Sequence, residues 1–236
     1  MRLDKYLSDM GVGTRSELKK DICKGGVSVD GEVIKDPGHG VDASSRVVFK
    51  GTVIRYEEFV YYMLNKPAGV ISASEDDREE TVIDLIPEPK RRDLFPVGRL
   101  DRDTEGLLLI TNDGALSHRL LSPKHHVDKV YFVKVSGILN ESDVGLFRDG
   151  LVLTDGLECL PADLEILSVY DEEYISEAEV TVREGKFHQV KRMFSAIGAE
   201  VLFLKRLSMG PLALDPELAP GEYRRLTKDE LAALGL

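Results

Sequence analysis

The stretch FPVGRLDRDTEGLLLITNDG, residues 95–114, sets a dense cluster of charge directly before the most apolar short run in the chain, Leu107-Leu108-Leu109-Ile110. The apolar run reads as a buried strand. Polar residues at a strand end are ordinary, but Gly98 and Gly106 bracket RLDRDTE, so the backbone can bend sharply on either side of a held loop. Asp101 sits between Arg99 and Arg102, and a nearby guanidinium favours an ionised carboxylate. Asp103 follows two residues later. On these residues alone, a turn cap beside Thr104 is a more ordinary reading of either acid than a reagent. The His, Cys and acidic residues elsewhere complete no ligand pattern, so no metal is expected.

Outward from that loop, short strands and short helices are interspersed. FVYYML is strand-like and ends at NKPAG, where Pro67 and Gly69 force a turn. VISAS resumes, EDDREE is a charged loop, and TVIDLIP is predicted as a short helix ended by Pro87. Beyond the apolar run, NDGALSHRLLSP predicts a turn and a helix, and KVYFVKVSG alternates as a strand. LECLPADLEILSVY and EAEVTVRE alternate as well, KFHQVKRMFSAIG is helical, and AEVLFLKRLSMGPL is largely strand. Thr227 and Glu230 form a capping box for a last helix. With few clean strand–helix–strand crossovers, the expected class is α+β: a mixed, mainly antiparallel sheet with flanking helices.

Residues 1–55 read as a separate small unit, joined near 51–58 to a larger one over 59–236. Leu3, Tyr6, Leu7 and Met10 have helical spacing, and Gly11 is a stop. Thr14 and Glu17 have capping-box spacing for a second helix that closes on Gly25-Gly26. VSVDGEVI then turns about Asp30-Gly31, a strong hairpin signal. Such a unit is too small to be an enzyme by itself. Arg15, Lys19 and Lys20 fall near one another on an exposed face of the second helix, which is also how ordinary solvent-facing decoration looks.

The 236 residues carry a net charge of -11, are 42% hydrophobic and 31% charged, and contain no apolar run near the ~20 residues of a bilayer span. The N-terminus opens on charge, and Cys23 with Cys159 gives no disulfide framework. A cytoplasmic protein away from membranes is expected. A net negative charge argues against a nucleic-acid partner, but its distribution reverses that. Residues 140–180 hold twelve acids against Arg148 alone, so the whole excess lies there. Arg183, Lys186, Lys191, Arg192, Lys205 and Arg206 face only Glu184 and Glu200 over 183–206. An acidic segment and a basic one on the same chain are compatible with a polyanion partner.

RLDKYL, the basic second helix and GGVSVDGEVI resemble the small RNA-binding domain, of α/β type, shared by a ribosomal small-subunit protein and tyrosyl-tRNA synthetases. That resemblance implies that Arg15, Lys19, Lys20 and Lys24 lie against RNA phosphates, which give affinity and orientation but little sequence reading. GRLDRDTEGLLLITNDG resembles the active-site motif of pseudouridine synthases, and YYMLNKPAG the motif that precedes it. SPKHHVDKVY, EGKFHQVKRMF and APGEYRRLT narrow the resemblance to the ribosomal small subunit pseudouridine synthase A group, over nearly the full chain.

Members of that family detach uracil from ribose, turn it and rejoin it through carbon, without a cofactor. The resemblance implies an essential aspartate at Asp101, acting as nucleophile or as base toward the sugar. It leaves Asp103 structural. Either role needs an ionised, partly desolvated oxygen beside a cation. On a helical wheel over 187–197, Phe187, Val190, Phe194 and Ile197 form the buried stripe, Lys191 borders it, and Arg192 points further toward solvent. A half-buried lysine needs an anion, which favours Lys191 as the partner of Asp101. Tyr131 matches the family's active-site tyrosine, whose ring stacks on an extruded base. Lys66, Arg99, Arg102, Arg119 and Lys124 are candidates for RNA phosphates, and His125-His126 for a loop near the substrate. The expectation is a monomeric enzyme that isomerises one uridine of small-subunit (16S) ribosomal RNA, free or in an assembling particle. The alternatives are a large-subunit (23S) ribosomal RNA synthase and a non-catalytic RNA-binding or assembly factor.

Overall fold

Two units divide the chain in the computed structural model, which describes residues 1–87 and 93–236. One comprises Met1–Val60 with Ile86–Phe95, the other Tyr61–Leu85 with Pro96–Leu236. In the first, helix α1 (Leu3–Asp9) buries Leu3, Tyr6 and Leu7, the residues of one helical face. Helix α2 (Arg15–Cys23) opens on a complete capping box: Thr14 accepts from the Glu17 N–H, and the Glu17 carboxylate accepts from the Thr14 N–H. Strands β1 (Val27–Val29), β2 (Glu32–Val33), β3 (Val47–Phe49) and β4 (Thr52–Ile54) form an antiparallel sheet in the order β2-β1-β3-β4. The β1–β2 turn places Asp30 at φ 52° and Gly31 at φ 94°, the twist that an Asp-Gly hairpin supplies. Leu18, Ile22, Val27 and Val47 join the α1 residues in one core.

The second unit is built on β5 (Tyr61–Lys66), the Pro96 end of β6 (Phe95–Pro96), β7 (Glu105–Thr111), β8 (Lys129–Ser136), β9 (Asp163–Tyr170), β10 (Ile175–Val182), β11 (Glu200–Met209), β12 (Leu212–Ala213) and β13 (Tyr223–Arg225). Along the order β13-β5-β7-β11-β8-β10-β9 every neighbouring pair is antiparallel except β7–β11, which is parallel. Helices α3 (Gly114–Leu121), α4 (Glu141–Asp149), α5 (Gln189–Ala196) and α6 (Lys228–Ala233) are interspersed. The class is α+β with a mainly antiparallel sheet, as the residue pattern predicts. No helix among the described residues is long and apolar enough to cross a membrane.

Strand β7 explains the apolar run. Leu107, Leu108, Leu109 and Ile110 are all fully buried, so both faces of the strand are covered and no polar alternation survives. At its start, β7 meets β11 so closely that a Cβ on Gly106 would lie 2.3 Å from the Arg206 carbonyl oxygen. Gly106 also has φ +100°, so only glycine fits there without strain. This crossing sets the loop before β7 beside β11 and β8.

Two segments differ from the sequence expectation. TVIDLIP is a turn rather than a helix, because the Asp84 carboxylate accepts from both the backbone N–H and the hydroxyl of Thr81 and closes the chain on itself. Helix α5 begins two residues later than Phe187. His188, with φ 49°, is its left-handed N-cap, and Phe187 is 73% exposed instead of joining a buried stripe. The buried face is Gln189, Val190, Met193 and Phe194. Within the acidic segment, helix α4 falls on residues to which the sequence reading assigned no element. Its start is a capping box between Asn140 and Asp143, and Phe147 anchors it at 5.0 Å from the Phe194 ring.

Candidate active site

The loop before β7 is held from beneath by the segment that follows β5. Lys66, with no exposed surface, donates to three carbonyl oxygens: Pro67 at 2.9 Å, Arg102 at 3.2 Å and Thr104 at 3.0 Å. The Gly69 N–H also donates to the Arg102 carbonyl, at 2.8 Å. Ser72 accepts from the Leu100 N–H and donates to the Leu100 carbonyl. Within the loop, the Thr104 N–H donates to the Asp101 carbonyl at 3.1 Å and closes the turn. Burial lowers the Lys66 pKa to about 8, although the surrounding charges of Asp103, Glu105 and Asp101 act the other way. Lys66 was expected at RNA phosphates. It lies inside the fold, its protons committed to backbone, and fixes the loop instead.

The carboxylate of Asp101 is thereby presented with about a quarter of its side chain exposed. Lys191 on α5 brings Nζ to 3.3 Å from Asp101 Oδ2, and to 2.6 Å from Asp103 Oδ1. His188 Nε2 lies 3.5 Å from the other oxygen, Asp101 Oδ1. The lysine is thus shared between two acids. Its hydrogen bond to the more exposed Asp103 holds that carboxyl below the usual carboxylate range. Asp101 and Tyr131 both line a cavity of about 470 Å³, together with Arg99, Lys129, Lys186, Phe187 and Arg206. Tyr131 is 8% exposed, on the buried face of β8 that also carries Lys129, Val133 and Val135. A smaller cavity of about 80 Å³ touches Asp101, Tyr131, Lys191 and Leu204. Asp101 and Tyr131 therefore face a space large enough for a nucleoside, with Lys191 against the carboxylate in the smaller cavity.

Two regions of the chain match known family models: residues 60–196 match that of RNA pseudouridylate synthase, and residues 1–47 that of the S4 domain. The chain belongs to the RNA pseudouridylate synthase family. An uncharacterised RNA pseudouridine synthase of Bacillus subtilis is 48% identical over 99% of this chain and 98% of its own length. The ribosomal small subunit pseudouridine synthase A of Vibrio parahaemolyticus is 43% identical over 98% of each chain, and that of Vibrio cholerae 41% over 99% of each. A crystal structure of a pseudouridylate synthase, 37% identical, aligns over 99% of both chains with a TM-score of 0.69.

In this synthase the basic residues anticipated for RNA divide into several environments. Lys19, Lys20 and Lys24 are exposed on and after α2. Arg15, half-exposed, reaches 3.3 Å from the buried Asp4, which Arg2 also pairs at 3.0 Å. The Asp4 carboxyl is held below its ordinary range, chiefly by the Arg2 hydrogen bond. Arg99 is exposed at the cavity, and Lys124 is exposed in a 3-10 turn, Pro123–His125. Arg102 does not flank Asp101 as an ion partner. Its Nε donates to the Gly69 carbonyl, and its guanidinium lies 3.1 Å from Glu79. Arg119 donates to the Leu234 carbonyl beyond α6. Arg192, expected toward solvent, is only about a quarter exposed and pairs with Asp155.

His188, Lys129 and Arg206 were not singled out from the sequence. Lys129 and Arg206 carry a readable signal, since each interrupts an alternating strand run at an inward position. His188 carries none, because its placement depends on a left-handed backbone that histidine adopts only rarely.

Proposed function

We propose that this RNA pseudouridine synthase isomerises a uridine of small-subunit (16S) ribosomal RNA, in the cytoplasm, with Asp101, Lys191 and Tyr131 as its catalytic residues. The observation that carries the reading is the Asp101 carboxylate, 3.3 Å from Lys191, on the wall of the cavity that Tyr131 also lines. Lys191 sets a positive charge beside the carboxylate and limits its solvation, which suits it either to attack the sugar or to remove a sugar proton. The glycosidic carbon–nitrogen bond breaks, the uracil turns within the cavity, and a carbon–carbon bond forms in its place. Tyr131 stacks on the extruded base, and its hydroxyl assists removal of the proton from the newly bonded carbon. Atoms balance between substrate and product, so the step requires no outside redox partner. The Vibrio relatives' small-subunit names support the choice of RNA. Lys19, Lys20 and Lys24, with the free half of Arg15, supply phosphate contacts from the S4 unit, and Arg99 and Lys124 supply them near the cavity.

Purified protein incubated with unmodified small-subunit ribosomal RNA is expected to leave one carbodiimide-detectable pseudouridine. An adduct appearing only on large-subunit RNA would move the substrate, and no adduct on either at saturating enzyme would reject the reading.

A further inference from the structure

Two cations in the cavity wall have no ion-pair partner among the described residues. Arg206 is 2% exposed, and its Nε donates to the Leu107 carbonyl at 2.8 Å. Its Nη2 is buried with no hydrogen-bond partner among the described residues. Lys129 is 8% exposed and donates to the Val127 carbonyl at 2.8 Å. The strand register sets Arg206 directly opposite Tyr131 on β8, and Lys129 lies two residues before Tyr131 on the same face.

The neighbouring charges are engaged elsewhere. Arg183 pairs with Asp128 at 3.0 Å and Asp163 at 2.7 Å, and Lys186 pairs with Glu184 at 2.9 Å. Asp101 pairs with Lys191. Burial lowers the Lys129 pKa, the charge of Arg206 adds to that shift, and Asp128, itself paired with Arg183, opposes it. Two like charges withdrawn from water without an anion are a net cost to the folded protein. A neutral uracil ring offers them hydrogen bonds but no charge.

We propose that Arg206 and Lys129 form an anion subsite that takes the phosphodiester of the extruded uridylate. The proposal rests on the pseudouridine synthase reading of the cavity. The phosphate supplies the missing negative charge and, held beside Tyr131, fixes the nucleotide at the depth where its sugar meets Asp101. Both are positioning residues: they act on the substrate's backbone rather than on the bonds that change.

The test is Lys129→Met in the full chain, with Arg206→Lys as a second variant because loss of the buried guanidinium endangers folding. RNA affinity is measured against salt concentration with unmodified small-subunit ribosomal RNA, and thermal midpoints are measured with and without inorganic phosphate. Lys129→Met is expected to raise the midpoint of the free protein, weaken RNA binding about tenfold, and lower the salt slope by about 0.9. Phosphate at constant ionic strength is expected to stabilise the wild type and not Lys129→Met. An unchanged salt slope with an unchanged phosphate response would overturn the subsite, whatever the fate of Arg206→Lys. Salt slope and phosphate response are read without turnover, so a wild type that binds in this way but makes no pseudouridine would reject the catalytic reading and leave the subsite standing.

Discussion

Asp101 and Asp103 differ by two positions and share one lysine, yet their surroundings separate their roles. Asp103 has the shorter contact with Lys191, 2.6 Å, but about three quarters of its side chain is in water. Asp101 is the one that faces the cavity. Replacing Asp101 with Asn keeps the shape and removes the charge, so single-turnover conversion is expected to fall at least about 10³-fold, with RNA binding unchanged. Asp103→Asn leaves Lys191 to Asp101 alone, and conversion is expected to stay within about tenfold of wild type, since an exposed ion pair contributes little. Equal losses in the two variants would mean that the acids act as a unit. The acid pair was visible in the sequence, and the family resemblance favoured Asp101 over Asp103; the residues of the loop alone did not separate them, because burial and cavity position are set by residues far along the chain.

At the scale of elements, the loop is a product of β5, β7 and β11 more than of its own residues. The apolar run of β7 was legible, as were the capping boxes at Thr14 and Thr227, because each is a local pattern of residue types. The Lys66 clamp was not, because its acceptors are backbone carbonyls that carry no residue-type signal. Phe187 was misread for a related reason: a helical wheel cannot show that the helix starts one residue after a left-handed His188. Below about pH 8 the Lys66 ammonium is charged in both folded and unfolded chains, and its burial opposes folding in full. Between about 8 and the ordinary lysine value of 10.5, the folded chain has released the proton and the unfolded chain has not. The stability of wild type relative to Lys66→Met is therefore expected to climb over that window, by at most about 1.4 kcal/mol per pH unit. Urea titrations of both proteins at several pH values read this directly, and a constant difference would show that Lys66 titrates normally. Gly106→Ala drives a methyl into the Arg206 backbone at a positive φ, and neither strand can yield. A loss of about 3 kcal/mol or more is expected, seen as a thermal midpoint lower by about 6–12 °C.

For the whole molecule, an RNA enzyme with a net charge of -11 needs its cations placed rather than numerous. The S4 unit has Lys19, Lys20 and Lys24 exposed, whereas Arg15 is partly engaged by Asp4 and has a structural duty as well. As proposed phosphate contacts, these lysines would hold ground state and transition state alike, because they lie on a different part of the chain from the reacting bonds. Replacing the three lysines together with alanine is therefore expected to raise the RNA concentration needed for half-maximal rate, while the rate at saturating RNA stays within about twofold. If each lysine covers one phosphate, the slope of log affinity against log salt falls by about 0.9 per lysine. Titrating RNA at several salt concentrations, with pseudouridine formation as the readout, measures both quantities on the same samples. A fall in the saturating rate with no change in salt slope would mean that the small unit shapes the active site rather than gripping the RNA.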